Sequence, residues 1–252
     1  MPTYGKAFLS IGDQLKLLKF VLLDIIERVE IAVRVEIALQ LGARNRFAHT
    51  NPNTFHPNFL RPRRRNAKTH YQIWTEKFGA RFRNSTDEFT THHKKRYGSK
   101  SPLPIWIAIE LWDFGLLSNF FQGMRVADKR DVAASFLVSD WQLMETWLRS
   151  LNYIRNVIAH HGRLWNLNLS DRPSLPALGG IPEFDVLVPL HNVNSRIYSV
   201  CCILSHFSKA IDPKSDWPQK LTKLVEEFLQ MPHAGIKDMG FPVDWRNHSF
   251  WT

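Results

Sequence analysis

Residues 140–162 read DWQLMETWLRSLNYIRNVIAHHG, and this stretch decides the fold. At about 100° per residue, Leu143, Trp147, Leu151, Ile154 and Ile158 fall within an arc of about 80°. Glu145, Arg149, Asn152, Asn156, His160 and Arg163 gather on the opposite side. This pattern predicts an amphipathic helix packed on a core, with Asp140 as its N-cap and the glycine at 162 near its end. His160 therefore belongs to a polar face, not to the core. Arg155 lies about 140° around the helix from His160 and about 7.5 Å along the axis. The two can act on one phosphate if the arginine side chain wraps round, if the helix distorts near Gly162, or if two chains share one site.

Outward from that helix the same periodicity recurs, and no alternating strand pattern is found. The fold class expected is all-α, with additional helices and long loops, in a single domain over 1–252. Residues 13–42 carry apolar positions at Leu15, Leu18, Leu22, Ile25, Val29, Ala32 and Leu39, with Gly42 as a stop. Residues 43–68 read as loop, with a basic run at Arg61, Arg63, Arg64 and Arg65. A helix is predicted from about His70 to about Phe89, followed by the basic stretch His92-His93-Lys94-Lys95-Arg96. Pro104 opens a helix that is apolar nearly all round, so Glu110 within it needs a buried partner. A short helix over about 127–138 and two more helices over about 189–210 and 217–230 complete the pattern, with a proline- and glycine-rich loop over 168–183. The aromatic group Trp106, Trp112, Phe114, Phe120 and Phe121 reads as core.

The chain has 252 residues, 44% of them hydrophobic, with 9 Trp and 17 Phe, which suits a globular protein with an aromatic core. Its 33 Lys+Arg against 23 Asp+Glu give a formal charge of +10. That balance favours an anionic partner, nucleic acid first and a membrane surface second. Cys201 and Cys202 are adjacent and form no disulfide framework, so a reducing cytoplasm is expected. Charged residues interrupt the N-terminal apolar run, and no stretch approaches the roughly 20 apolar residues of a membrane helix. The histidine pairs 92–93 and 160–161 lack metal-site spacing, and neither a phosphate loop nor a GxSxG elbow is present. No metal and no cofactor are expected. The basic runs at 61–65 and 92–96 read either as RNA-tracking loops, with Trp74, Phe78 and Tyr97 to stack bases, or as solvated surface.

The string RNVIAHHGRLWN, Arg155 to Asn166, resembles the signature of the Abi-like (abortive infection, AbiD/AbiF-type) family, within the HEPN superfamily of helical domains. Arg155, Asn156 and His160 match the arginine, polar residue and histidine of that signature. LDIIERVEIAVR at 23–34, LPIWIAIELWDFGLLS at 103–118 and MGFPVDW at 239–245 match further blocks. Relatives carry a longer stretch between the blocks like FLSIGDQLKLL and LLDIIERVE, which here almost abut around Phe20, so the N-terminal region is shortened. The resemblance implies a HEPN-type bundle and a metal-independent endoribonuclease used in phage defence or as a toxin. It implies RNA as substrate, a homodimer, and an inhibitory RNA or protein antitoxin as a further partner, with no membrane. Arg155 would hold the scissile phosphate, His160 would act as general base or acid, and Asn156 would orient either. Arg163, Arg149 and Asn166 are candidate phosphate contacts, and Glu110 a supporting partner for Arg155. The other reading is a non-catalytic RNA-binding or regulatory HEPN protein. A second string, RNRFAH at 44–49, repeats the spacing through Arg44, Asn45 and His49 and reads as a chance match.

Overall fold

The computed structural model describes residues 11–228 and 235–251. Ten α-helices are described: α1 (Ile11–Arg44), α2 (Pro57–Leu60), α3 (His70–Asn84), α4 (Glu88–Tyr97), α5 (Ile105–Ala108), α6 (Phe114–Gly123), α7 (Val126–Ser135), α8 (Trp141–Ala159), α9 (Ile197–Ile211) and α10 (Trp217–Glu226). Short 3-10 turns join several of them. Among the described residues extended pairing is limited to one antiparallel bridge, Phe55 to Met124, so the all-α class holds. The chain packs as two compact units, Met1–Val29 with Arg149–Thr252, and Glu30–Leu148. No helix among the described residues is long and apolar enough to cross a membrane.

In the Glu30–Leu148 unit the apolar run after Pro104 breaks into α5, a 3-10 turn and α6. Asp113 is the cause. Its carboxylate accepts the Leu116 N–H at 2.8 Å and starts a new helix, the competition that short acidic side chains offer to a continuing helix. Arg81 of α3 pairs with the same carboxylate. The break turns Trp112 inward, where its ring meets Phe120 at 4.5 Å and Trp74 edge-on at 5.0 Å. Trp74 donates from Nε1 to the Leu116 carbonyl at 3.0 Å, so the indole is apolar in its packing and satisfied at its polar end. Trp112, Phe114, Phe120 and Phe121 are core as expected, but Trp106 is 49% exposed. Trp74 is buried in the aromatic core, and the half-buried Phe78 packs against it and Trp112, so both rings are engaged within the fold. The helix predicted to about Phe89 ends at Asn84, where Ser85 begins a turn tied to Asp87 and Thr90, and the basic stretch 92–96 lies on α4.

On α1 the buried positions are Leu18, Leu22, Ile25, Ile26, Val29, Val33, Ile37 and Leu41. Leu39, expected inside, is 64% exposed, because a straight helix drifts from a strict seven-residue repeat. Glu30 is buried instead and pairs with Arg34, which also donates to the Trp112 carbonyl.

In the other unit α9 is buried from Ile197 to Ser208. Burial pushes the thiols of Cys201 and Cys202 well above the usual range, so both remain protonated packing groups. The block MGFPVDW closes over α9. Phe241 lies 4.7 Å from the Tyr198 ring, Trp245 is buried, and the Tyr198 hydroxyl meets His248 Nδ1 at 2.6 Å. Trp217 of α10 donates to the Val21 carbonyl at 2.8 Å, tying α10 to the first half of α1.

Candidate active site

The helix carrying the motif forms as its periodicity requires. Asp140 accepts the Gln142 N–H at 2.8 Å, and Leu143, Trp147, Leu151, Ile154 and Ile158 are all buried. Its end is more specific than the sequence pattern suggests. The Gly162 N–H donates to Val157 O at 2.7 Å, and the His161 N–H to Ile158 O at 3.0 Å. That pair of bonds is a Schellman closure, with His161 in the left-handed position usually taken by glycine, at φ 56°. The glycine one residue later is required by space, since a Cβ there would lie 2.9 Å from Val157 O and 2.8 Å from Val157 Cγ1.

This closure makes His160 the C-cap, the residue directly after the last turn of α8. Its N–H donates to Asn156 O at 3.0 Å, so the two share one face. The imidazole is exposed and makes no hydrogen bond to another described residue. Arg155 is half-buried, and its Nη1 donates to Asn156 Oδ1 at 3.4 Å. That bond joins Arg155 to its neighbour Asn156, which shares its face with His160. Neither side chain is walled off by apolar groups.

The remaining candidates separate. Arg163 is exposed, with its guanidinium 5.8 Å from the Trp165 ring centre and no acidic partner among the described residues. Arg149 is committed to Asp171 at 3.2 Å, which ties α8 to the loop that follows it. Asn166 is half-buried with its Oδ1 turned inward, and its carbonyl accepts from Arg196 at 2.8 Å, so it helps shape the loop. Glu110 lies on the turn Ile109–Leu111 of the other unit, exposed and without an ion pair among the described residues. The expectation of a buried carboxylate is corrected, because on this 3-10 turn Ile109 takes the buried position and Glu110 is left exposed.

Sequence reasoning missed Lys19 of α1, whose Nζ donates to the His161 carbonyl at 3.3 Å. No local signal marks it, since it lies 142 positions away. Lys19, Arg155 and Arg163 give the helix end a positive field. The loop beyond leads into a polar cleft of about 530 Å³ lined by Asn168, Arg172, His191 and Arg196. No group of three or more His, Cys, Asp or Glu among the described residues is placed to hold a metal. The string RNRFAH is no second site, because His49 is 1% exposed and packs edge-on against Phe78.

A family model described as Abi-like protein matches residues 6–166, which include the motif helix and the blocks at 23–34 and 103–118. The chain belongs to the Abi-like protein family. The MGFPVDW block lies beyond the matched residues and acts in packing. Neither the curated proteins nor the solved structures contain a match.

Proposed function

We propose that this Abi-like protein is a metal-independent endoribonuclease of the HEPN type, acting in the abortive-infection setting that its family suggests. The observation that carries this reading is the end of α8, where Arg155 bonds to Asn156, which shares its face with an exposed His160 that has no partner among the described residues. RNA supplies its own nucleophile. The 2′-oxygen attacks the adjacent phosphorus, the P–O5′ bond breaks, and the products are a 2′,3′-cyclic phosphate and a 5′-hydroxyl.

His160 takes the 2′-hydroxyl proton or returns one to the 5′-oxygen, a role for which an imidazole is suited near neutral pH. The guanidinium of Arg155 forks onto two phosphate oxygens and stabilises the charge that builds there. Arg163 and Lys19 hold flanking phosphates. In a homodimer about a two-fold axis at this face, one imidazole serves as base and its mate as acid. An inhibitory RNA or protein antitoxin would act by covering the same face.

The test is RNA incubated with the full chain in EDTA. Cleavage with cyclic phosphate ends is expected, and His160→Ala should reduce it at least about 100-fold while leaving the unfolding temperature unchanged. Cleavage that survives His160→Ala, or that the chelator abolishes, refutes the reading. RNA binding without cleavage by the intact chain would mark a non-catalytic RNA-binding protein.

A further inference from the structure

The Glu30–Leu148 unit contains a second place suited to an anion joined to a flat ring. The segment around α2, the start of α3, the junction of α6 with α7 and the first turn of α8 enclose a cleft of about 500 Å³. Arg61 and Arg63 line it, both exposed and neither paired with an acidic residue among the described ones. His56 accepts the Asn58 N–H on Nδ1 at 3.2 Å, which leaves its Nε2 as the donor of the neutral ring.

Deeper in, Lys129 is 4% exposed, with Nζ 2.6 Å from Glu145 Oε1 and 3.8 Å from the centre of the Trp141 ring. The other oxygen of Glu145 has no partner among the described residues. His70 stacks on Phe59 at 5.9 Å with 26° between the planes. The cleft thus offers free cations at its rim, aromatic rings on its walls and one unused carboxylate oxygen. A phosphate alone would use only the first of these, and a lipid headgroup has no flat aromatic ring for the second. A nucleotide uses all three: phosphate on guanidinium, base among rings, and an exocyclic amino group on a carboxylate.

We propose that this cleft binds a nucleotide, with Arg61 and Arg63 on the phosphate and the base lodged among His70, Trp141 and Glu145. The proposal assigns a use to the basic run at 61–65 and is independent of the chemistry at His160. The nucleotide is either free or one link of a single-stranded RNA, and the experiment distinguishes these. The full chain carrying His160→Ala, which cannot cleave under the reading above, is titrated calorimetrically with 5′-AMP, 5′-GMP and inorganic phosphate, and by anisotropy with a labelled single-stranded RNA. The same titrations are repeated with R61A/R63A added.

Loss of at least fivefold in mononucleotide affinity identifies a free-nucleotide site. The same loss for RNA alone identifies a strand-binding site. In that case the slope of log affinity against log salt should also fall by about 0.7, the contribution of the one single-strand phosphate that both arginines hold. Less than fivefold loss for every probe overturns the proposal. So does inorganic phosphate binding as tightly as the mononucleotides with RNA binding unaffected by R61A/R63A. Because both substituted side chains are exposed, an unchanged unfolding temperature verifies that the variant is folded. The mononucleotide and phosphate titrations contain no RNA to cleave, so failure of the nuclease reading would leave them unchanged.

Discussion

Acidification from pH 8 to pH 5 should destabilise this protein by about 2 kcal/mol through His49 alone. The ring is 1% exposed, and neither Nδ1 nor Nε2 has a hydrogen-bond partner among the described residues. Its surroundings are aromatic, with Phe78 at 5.4 Å and Trp112 at 6.2 Å between ring centres. Burial lowers its pKa from 6.5 to about 4, because nothing solvates the charged form. The unfolded chain therefore binds a proton near pH 6.5 that the folded chain refuses until about pH 4. Stability is full above the higher value and declines as pH falls toward the lower one, reaching a loss of about 3 kcal/mol at pH 4.

The assay is equilibrium urea unfolding of the wild-type chain and of His49→Leu at pH 8 and pH 5. Leucine fills similar space without a titrating group. The variant should be at least as stable as wild type at pH 8, since an unmet buried polar group is removed. It should exceed wild type by about 2 kcal/mol more at pH 5 than at pH 8. Equal pH dependence in the two proteins would refute the reasoning, because the ring would then be solvated or paired in the fold. RNA cleavage should be unchanged in His49→Leu, which separates the buried R-N-x-x-x-H string from the exposed one.

The end of α8 supplies two further predictions. Gly162→Ala places a methyl against Val157 O and Val157 Cγ1 and should destabilise the chain by about 1–3 kcal/mol. Because the last turn positions His160, kcat/KM for RNA should fall at least about tenfold, and full activity would show that the closure does not position the imidazole. His161→Gly relieves a left-handed residue that carries a Cβ, and should stabilise by about 0.5–1 kcal/mol, raising Tm by roughly 1–4 °C. Cleavage within twofold of wild type is expected in that variant; a loss like that of His160→Ala would assign the chemistry to the wrong member of the pair.

Periodicity alone determined the all-helical class and the buried stripe of α8. One face of a helix repeats every three to four residues, and the core selects that face regardless of what covers it. It also placed Asn156 and His160 on one polar face, since that depends only on rise and turn. Tertiary structure decided the rest. The apolar run after Pro104 looked unbroken, yet Asp113 interrupts it, and whether a short acidic side chain caps or continues a helix depends on what its neighbours gain by turning inward. Two strings share the spacing R-N-x-x-x-H, but His49 is enclosed by aromatic rings and His160 is open, because the residues packed around them come from distant segments. Lys19 at the motif, Asp171 on Arg149 and Glu145 on Lys129 are likewise long-range pairings. A local pattern shows which side chains share a face, and only the packed chain shows what each of them meets.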